Sequence, residues 1–230
     1  MQNQGEGLVW KIGRQLLAMG DVRPREYQFA YRFLADAQSV LDVGCGTGTF
    51  CDLAPQRIVG VDINPDNVSY CKSKGVDARV GSALELPWES AKFDGVHCSH
   101  LLQVFNPREA VQCLSEIARV TKPGGVMVVT TLNDFPRFFR HPENVRPYPP
   151  DALFRLFFGE AAGSSSPMWP NIPRVKLQGI RLRRPPLVEF ESRASRPLAR
   201  LAGALNGLQV GLSLTKFWSF NAYTVALQKQ

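Results

Sequence analysis

The 230-residue chain has few of the features that would set it apart from ordinary globular proteins. It holds only 3 histidines and 5 cysteines. The cysteines, at 45, 51, 71, 98 and 113, are odd in number and no two have C-x-x-C spacing. That excludes a disulfide framework and a zinc site as first readings, so the expectation is a reduced, cytoplasmic setting and no metal. Long apolar runs are also missing. The longest uncharged stretch near the C-terminus, between Arg200 and Lys216, carries Asn206 and Gln209 and falls short of the roughly 20 apolar residues of a membrane span. The opening MQNQGEGLVWKIGRQ lacks the basic start and apolar core expected of a secretory signal. No repeats are found. A hydrophobic fraction of 44% with 20% charged residues is globular composition and excludes disorder.

Acid is scarce in the second half. Residues 1–134 carry 13 Lys/Arg and 15 Asp/Glu, whereas residues 135–230 carry 14 and 5. The excess of +9 after residue 134 expects something negative: a phosphate, an acidic sugar, nucleic acid or an anionic membrane surface. A solvated basic face is the alternative. The prolines, 17 in all, also concentrate after residue 135.

The first half alternates strand and helix signals. Residues 8–20 and 25–35 read as amphipathic helices. Ser39–Val43 is a short apolar run ending in a glycine cluster, the pattern of a buried parallel strand. A short helix fits 49–54, strands fit 57–62, 77–80, 93–98 and 126–131, and helices fit 64–74 and 107–120. Such alternation implies a parallel sheet covered by helices, with ligands at the carboxyl ends of its strands. Polar and glycine residues gather at those ends: 44–48, 62–64, 81–84, 99–103 and 131–134. Beyond 134 the pattern loosens into a helix at 149–158, a Gly/Ser/Pro-rich loop at 159–173, strands at 175–182 and 217–227, and a leucine-striped helix at 197–214.

The most informative segment is Leu41-Asp-Val-Gly-Cys-Gly-Thr-Gly-Thr-Phe50. Gly44, Gly46 and Gly48 follow a buried strand, where glycine allows a tight turn and close ligand approach. Asp62 ends the next strand, twenty residues after Asp42, where a carboxylate can accept both hydroxyls of a ribose. A dinucleotide fingerprint is G-x-G-x-x-G; here the triplet is G-x-G-x-G, with less provision for a pyrophosphate.

These segments resemble the class I, seven-strand S-adenosylmethionine-dependent methyltransferases of small-molecule type. LDVGCGTG is similar to the family's first motif and VGVDINPDNV to its ribose motif. GSALELPWESAKFDGVHCSHLLQVFNP is similar to the adenine loop, fourth strand and following segment, and ARVTKPGGVMVV to the approach to the fifth strand. The resemblance implies an α/β, Rossmann-like, doubly wound, mostly parallel seven-stranded sheet whose last strand, near 217–227, is antiparallel. It implies a single domain over 1–230: N-terminal helices to 37, a donor-binding core at 38–134, and acceptor-side elements at 135–230 with a helical insertion near 185–215. It further implies S-adenosylmethionine as cofactor. Gly44, Cys45 and Gly46 would line its methionine end through their backbone, and Asp42 would help hold the ammonium group through water. Asp62 would take the ribose and Ile63 would pack on adenine. Ser82, Ala83 and Leu84 would meet the adenine edge; the family often has Asp where this chain has Ser82. Ser99 and His100 would lie beside the sulfonium.

Methyl transfer from a sulfonium is an in-line displacement that needs positioning, and an alcohol acceptor adds the need for a base. His100, His141 and Tyr148 are the candidate catalytic residues; His97, inside a strand, reads as packing. Arg137, Arg140 and Arg146 crowd a proline-punctuated stretch with His141 and Tyr148, and arginine suits bidentate recognition of phosphate or carboxylate. The run H-x-x-x-x-R-P-Y at 141–148 resembles one in methyltransferases associated with surface glycans and lipid-linked saccharides. The expected acceptor is therefore a small molecule or saccharide, anionic, methylated on oxygen. Nucleic acid is not expected as a partner. Peripheral membrane contact is less favoured than packing for the leucine stripe, which also permits a homodimer. A non-catalytic donor-binding interaction protein is the alternative.

Overall fold

A computed structural model of the chain describes residues 23–133, 138–158, 174–183 and 222–230. The chain divides into two compact units. The first comprises Met1–Gln28 and Pro185–Trp218, of which only 23–28 is described. The helices expected at 8–20 and 197–214 and the loop expected at 159–173 lie outside the described residues. The second unit, Phe29–Arg184 with Ser219–Gln230, contains the sheet.

In chain order the strands are β1 Val40–Val43, β2 Ile58–Asp62, β3 Ala78–Val80, β4 Phe93–Ser99, β5 Thr121–Leu132, β6 Val175–Arg183 and β7 Ala222–Lys229. The helices are α1 Arg23–Arg32, α2 Pro65–Ser73, α3 Pro107–Val120 and α4 Pro150–Phe158. The seven strands form one sheet in the order β3-β2-β1-β4-β5-β7-β6. β1 to β5 pair in parallel, and β7 lies antiparallel to both β5 and β6. This is the expected architecture, with strand order reversing between β1 and β4. All four residues of β1 are buried, which its central position in a two-sided sheet requires.

The segment expected as a helix at 49–54 is shorter. Only Cys51–Leu53 forms a 3₁₀ turn, because the glycine-rich entry and Pro55 leave no room for a full α-turn ladder. α3 is the best-specified helix. Asn106 accepts from the Arg108 and Glu109 amides, Glu109 reaches back to the Asn106 amide, and Pro107 starts the first turn. Its buried face, Ala110, Val111, Cys113, Leu114, Ile117, Ala118 and Val120, falls at helical spacing and packs into the core with Val96 and Met127.

α3 also fixes the loop between β3 and β4. Glu116 Oε2 accepts from the Leu86 amide at 2.7 Å. Arg119 bonds both carboxylate oxygens of Glu116, at 2.7 Å each, and donates to the Trp88 and Leu86 carbonyls at 2.7 and 3.0 Å. Gln112 Nε2 reaches the Leu84 carbonyl at 2.8 Å. A loop without a regular ladder is thus tied at four points to a rigid helix, so residues 82–88 are held in place.

Arg119 and the Leu86 amide hold the Glu116 carboxyl below its ordinary value of 4.5. A depressed folded-state pKa means that the pair stabilises the fold above that value and that this contribution is lost as pH falls through the lower, folded value. Glu116→Ala is expected to cost about 2 kcal/mol at pH 7 in urea denaturation. The difference from wild type should shrink as pH is lowered below 4.5; a difference that stays constant down to acid unfolding would remove the charge from the account.

Candidate functional site

The carboxyl ends of β1, β2 and β4 converge where strand order reverses. Gly44, Gly46 and Gly48 have φ of 71, 52 and 76°, left-handed values that a Cβ would strain. A Cβ on Gly48 would also stand 2.9 Å from Cys71 Sγ, whereas one on Gly46 would meet nothing within 4 Å. The loop is packed on one side and open at Gly46.

The amides of this loop are turned inward. Gly44 N and Cys45 N both donate to the Val61 carbonyl, at 2.8 and 3.0 Å, and Gly48 N donates to the Cys45 carbonyl at 2.9 Å. Gly46 N donates to Asp62 Oδ2 at 2.8 Å. These four donors are spent on the protein, so the loop is no amide cradle for a phosphate, in contrast to a phosphate-binding nest. What it offers a ligand is open space at Gly46 beside the Asp62 carboxylate. The N–H groups of Gly44, Cys45 and Gly46 therefore serve the fold, and any lining of a ligand by these residues falls to their other backbone atoms.

Asp62 does more than the sequence indicated. Its Oδ2 fixes the loop, and its Oδ1 accepts from Asn64 N at 2.9 Å and Asn67 Nδ2 at 3.2 Å. Half-buried, it keeps one unused lone-pair site, on Oδ2. Ile63 beside it is 75% exposed, an apolar side chain with little protein cover. Ser82 Oγ accepts from Leu84 N at 3.1 Å and retains its own proton to donate. Ala83 and Leu84 pack at the edge of the core.

Asp42 sits under the loop. It is buried, its Oδ1 lies 2.7 Å from His97 Nδ1, and its Oδ2 accepts from Cys51 Sγ at 3.6 Å. Each oxygen thus has one partner beneath the loop. His97 stacks on Phe50, with ring centroids 3.7 Å apart. Three thiols fill the remaining space under the loop. Cys71 Sγ and Cys45 Sγ donate to the Gly46 carbonyl at 3.3 and 3.7 Å. The Cys51 thiol is pushed up by its hydrogen bond with Cys45, by burial and by the Asp42 charge. Burial, with Cys45 beside it, pushes the Cys71 thiol up to about 11.

At the end of β4, Ser99 Oγ is buried and has no hydrogen-bond partner among the described residues. His100 has φ 55°, its amide donates to the Thr130 carbonyl at 2.8 Å, and its carbonyl accepts from Gln103 Nε2 at 2.7 Å. Gln103, at the end of the polar cluster expected at 99–103 but given no role there, is buried.

The segment after β5 is only partly as expected. Arg137 and the Arg140 side chain lie outside the described residues. His141 and Arg146 are exposed, and the Arg146 guanidinium sits over the Tyr148 ring at 5.1 Å. Tyr148, one of the candidate catalytic residues, is held as an anchor. Its ring is buried, its hydroxyl donates to the Phe105 carbonyl at 3.0 Å, and burial pushes its pKa up. Tyr223 Oη donates to the Tyr148 carbonyl at 2.8 Å, and Tyr148 N donates to the Leu132 carbonyl at 3.2 Å. Among the described residues no group of three His, Cys, Asp or Glu side chains could hold a metal ion, and no helix is long and apolar enough to cross a membrane.

Comparison with known proteins matches residues 41–129 to the family described as "Methyltransferase domain". A probable S-adenosylmethionine-dependent methyltransferase of Mycolicibacterium smegmatis is 32% identical over 117 residues, 47% of this chain and 45% of that protein. A fatty-acid O-methyltransferase of the same organism is 32% identical over 107 residues, 41% of this chain and 37% of that protein. The chain spans less than half the length of either curated relative. Among solved structures, a SAM-dependent methyltransferase from Archaeoglobus fulgidus superposes with a TM-score of 0.59 at 22% identity, covering 97% of this chain and 100% of that one. The fold is that of the SAM-dependent methyltransferases.

All five cysteines are free and buried, and burial shields thiols from reagents in solution. Native protein at pH 8 is expected to react with a thiol-specific chromogenic disulfide at least tenfold more slowly than the guanidinium-unfolded chain, which should titrate 5 thiols. Rapid native labelling at Cys71 would mean that the packing under the glycine loop opens readily.

Proposed function

We propose that this chain is an S-adenosylmethionine-dependent methyltransferase that methylates an oxygen of an anionic small molecule or saccharide. The observation that carries the donor assignment is the inward turn of the loop amides, with Asp62 tethering Gly46 and Gly46 left open. A site that spends its N–H groups internally suits a donor whose reactive end is cationic better than it suits a pyrophosphate. The residues present fit that donor. Asp62 has one lone-pair site left for a ribose hydroxyl, Ile63 offers an apolar side chain to adenine, and Ser82 can donate to its ring edge. Ser99, at the end of β4, carries a buried hydroxyl with no hydrogen-bond partner among the described residues.

S-adenosylmethionine, when bound, supplies a methyl group already activated on a sulfonium. The chain's own residues then have to hold the acceptor in line and exclude water. His100, half-buried at the end of β4, is the residue placed to take a proton from a hydroxyl acceptor. A carboxylate or phosphate acceptor is already ionised and needs none. Arg146, exposed and steadied over Tyr148, is the described cation suited to such an acceptor, with Arg137 and Arg140 near it in sequence. The relative named for O-methylating a fatty acid supports an acceptor with a carboxylate. The resemblance of 141–148 to glycan-associated enzymes supports a saccharide, and the +9 charge of residues 135–230 fits either.

Calorimetry with S-adenosylmethionine should show binding that Asp62→Ala weakens by roughly tenfold or more. A charge-assisted hydrogen bond is lost to the ligand, and Gly46 loses its tether. Unchanged affinity would take Asp62 out of the site. Incubating the protein with labelled donor and a metabolite extract, then identifying labelled species by mass spectrometry, tests transfer itself. Donor binding without any labelled product would favour the non-catalytic alternative.

Once an acceptor is identified, Arg146→Ala should raise its KM by roughly tenfold with donor affinity unchanged, as lost acceptor binding requires. Normal kinetics in that variant, or a neutral acceptor, would leave the basic half as a solvated surface.

A further inference from the structure

Gln103 joins three parts of the molecule that the proposed reaction must keep in register. It is 5% exposed. Its side-chain Nε2 donates to the His100 carbonyl at 2.7 Å. Its Oε1 accepts from Thr131 Oγ1, near the end of β5, at 3.4 Å. Its main-chain carbonyl accepts from Val145 N at 2.8 Å and Arg146 N at 3.3 Å. One residue therefore touches the exit of β4, the end of β5 and the segment that carries His141 and Arg146.

The first of these contacts bears on conformation. His100 sits at φ 55°, a left-handed value disfavoured for a residue with a Cβ. Its amide is held by Thr130 and its carbonyl by Gln103, so the unfavourable geometry is pinned from both sides. A leucine would fill the same volume but could neither donate to His100 nor accept from Thr131. An amide, with a donor at one branch and an acceptor at the other, does both.

We propose that Gln103 is a positioning residue that couples the donor site to the acceptor segment, so that filling the first orders the second. The proposal rests on the donor reading above. A ligand at Ser99 and His100 restrains the His100 backbone, that restraint reaches Gln103 through the 2.7 Å bond, and Gln103 passes it to the Val145 and Arg146 amides it already holds. Such a link would bring Arg146 into position only when the donor is bound.

The test is amide hydrogen exchange with S-adenosylhomocysteine as the probe, paired with calorimetry of the same probe. In wild type the probe should slow exchange at Val145 and Arg146 at least fivefold. In Gln103→Leu that slowing should disappear while the probe still binds within threefold of wild type. The Tyr148 amide, bonded to Leu132 and not to Gln103, serves as internal reference and should be unchanged by the substitution. Should the leucine variant fail to fold, Gln103→Glu keeps the volume, removes the donor to His100 and should lose the slowing equally. Probe binding without slowing at 145–146 in wild type, slowing retained in the variants, or loosening at Tyr148 in step with 145–146 would each overturn the coupling. Absence of binding heat in wild type would instead remove the donor reading, and the coupling with it.

Discussion

A carboxylate buried in the middle of a sheet must be satisfied, and much of this site is arranged around that need. Asp42 lies on β1 in register with His97 on β4, the two strands between which strand order reverses. Left alone there, the charge would be costly. His97 Nδ1 at 2.7 Å and the Cys51 thiol at 3.6 Å meet its two oxygens. The His97 ring is in turn covered by Phe50, the residue that ends the glycine segment. Satisfying one buried charge thus fixes β1, β4 and the 3₁₀ turn relative to each other, and the glycine loop is laid over the result.

The loop's conformation follows from that pedestal and from β2. With Cys45, Cys51 and Cys71 packed beneath it, the chain has to rise and turn in left-handed steps, and Val61 and Asp62 collect the amides that the turn would otherwise leave bare. The same carboxylate that fixes the loop keeps one acceptor site on Oδ2 and is half-buried. Architecture and recognition share one side chain, so selection for either would preserve it.

The parts of this fold that local pattern specifies were readable from the sequence. α3 runs over the expected residues because Asn106-Pro107 and Glu109 are a start signal and its apolar residues recur at helical spacing. The glycine segment, Asp62 and the strand alternation led to the seven-strand sheet because each depends on near neighbours in sequence or on strand-end placement. What escaped depends on contacts across long separations. Asp42 and His97 are 55 residues apart, and nothing in either neighbourhood marks them as partners. Tyr148 looked like a presented phenol because its neighbours are polar and basic, yet its hydroxyl goes to Phe105, 43 residues earlier. Gln103 lies in the polar cluster at 99–103, but its role comes from three elements that meet there across long separations in sequence.

The reversed strand β7 has a consequence for assembly. It lies between β5 and β6 although it follows both in the chain. On synthesis, β6 emerges with no place in the sheet, since the neighbour it must pair with has not yet been made. The outer edge of β5 stays bare for the same interval, a row of unpaired amides and carbonyls on an apolar strand. Closing both edges at once with residues 222–229 makes the sheet a late, long-range event. A nascent chain of this topology is therefore most exposed to strand-to-strand aggregation just before its last strand arrives.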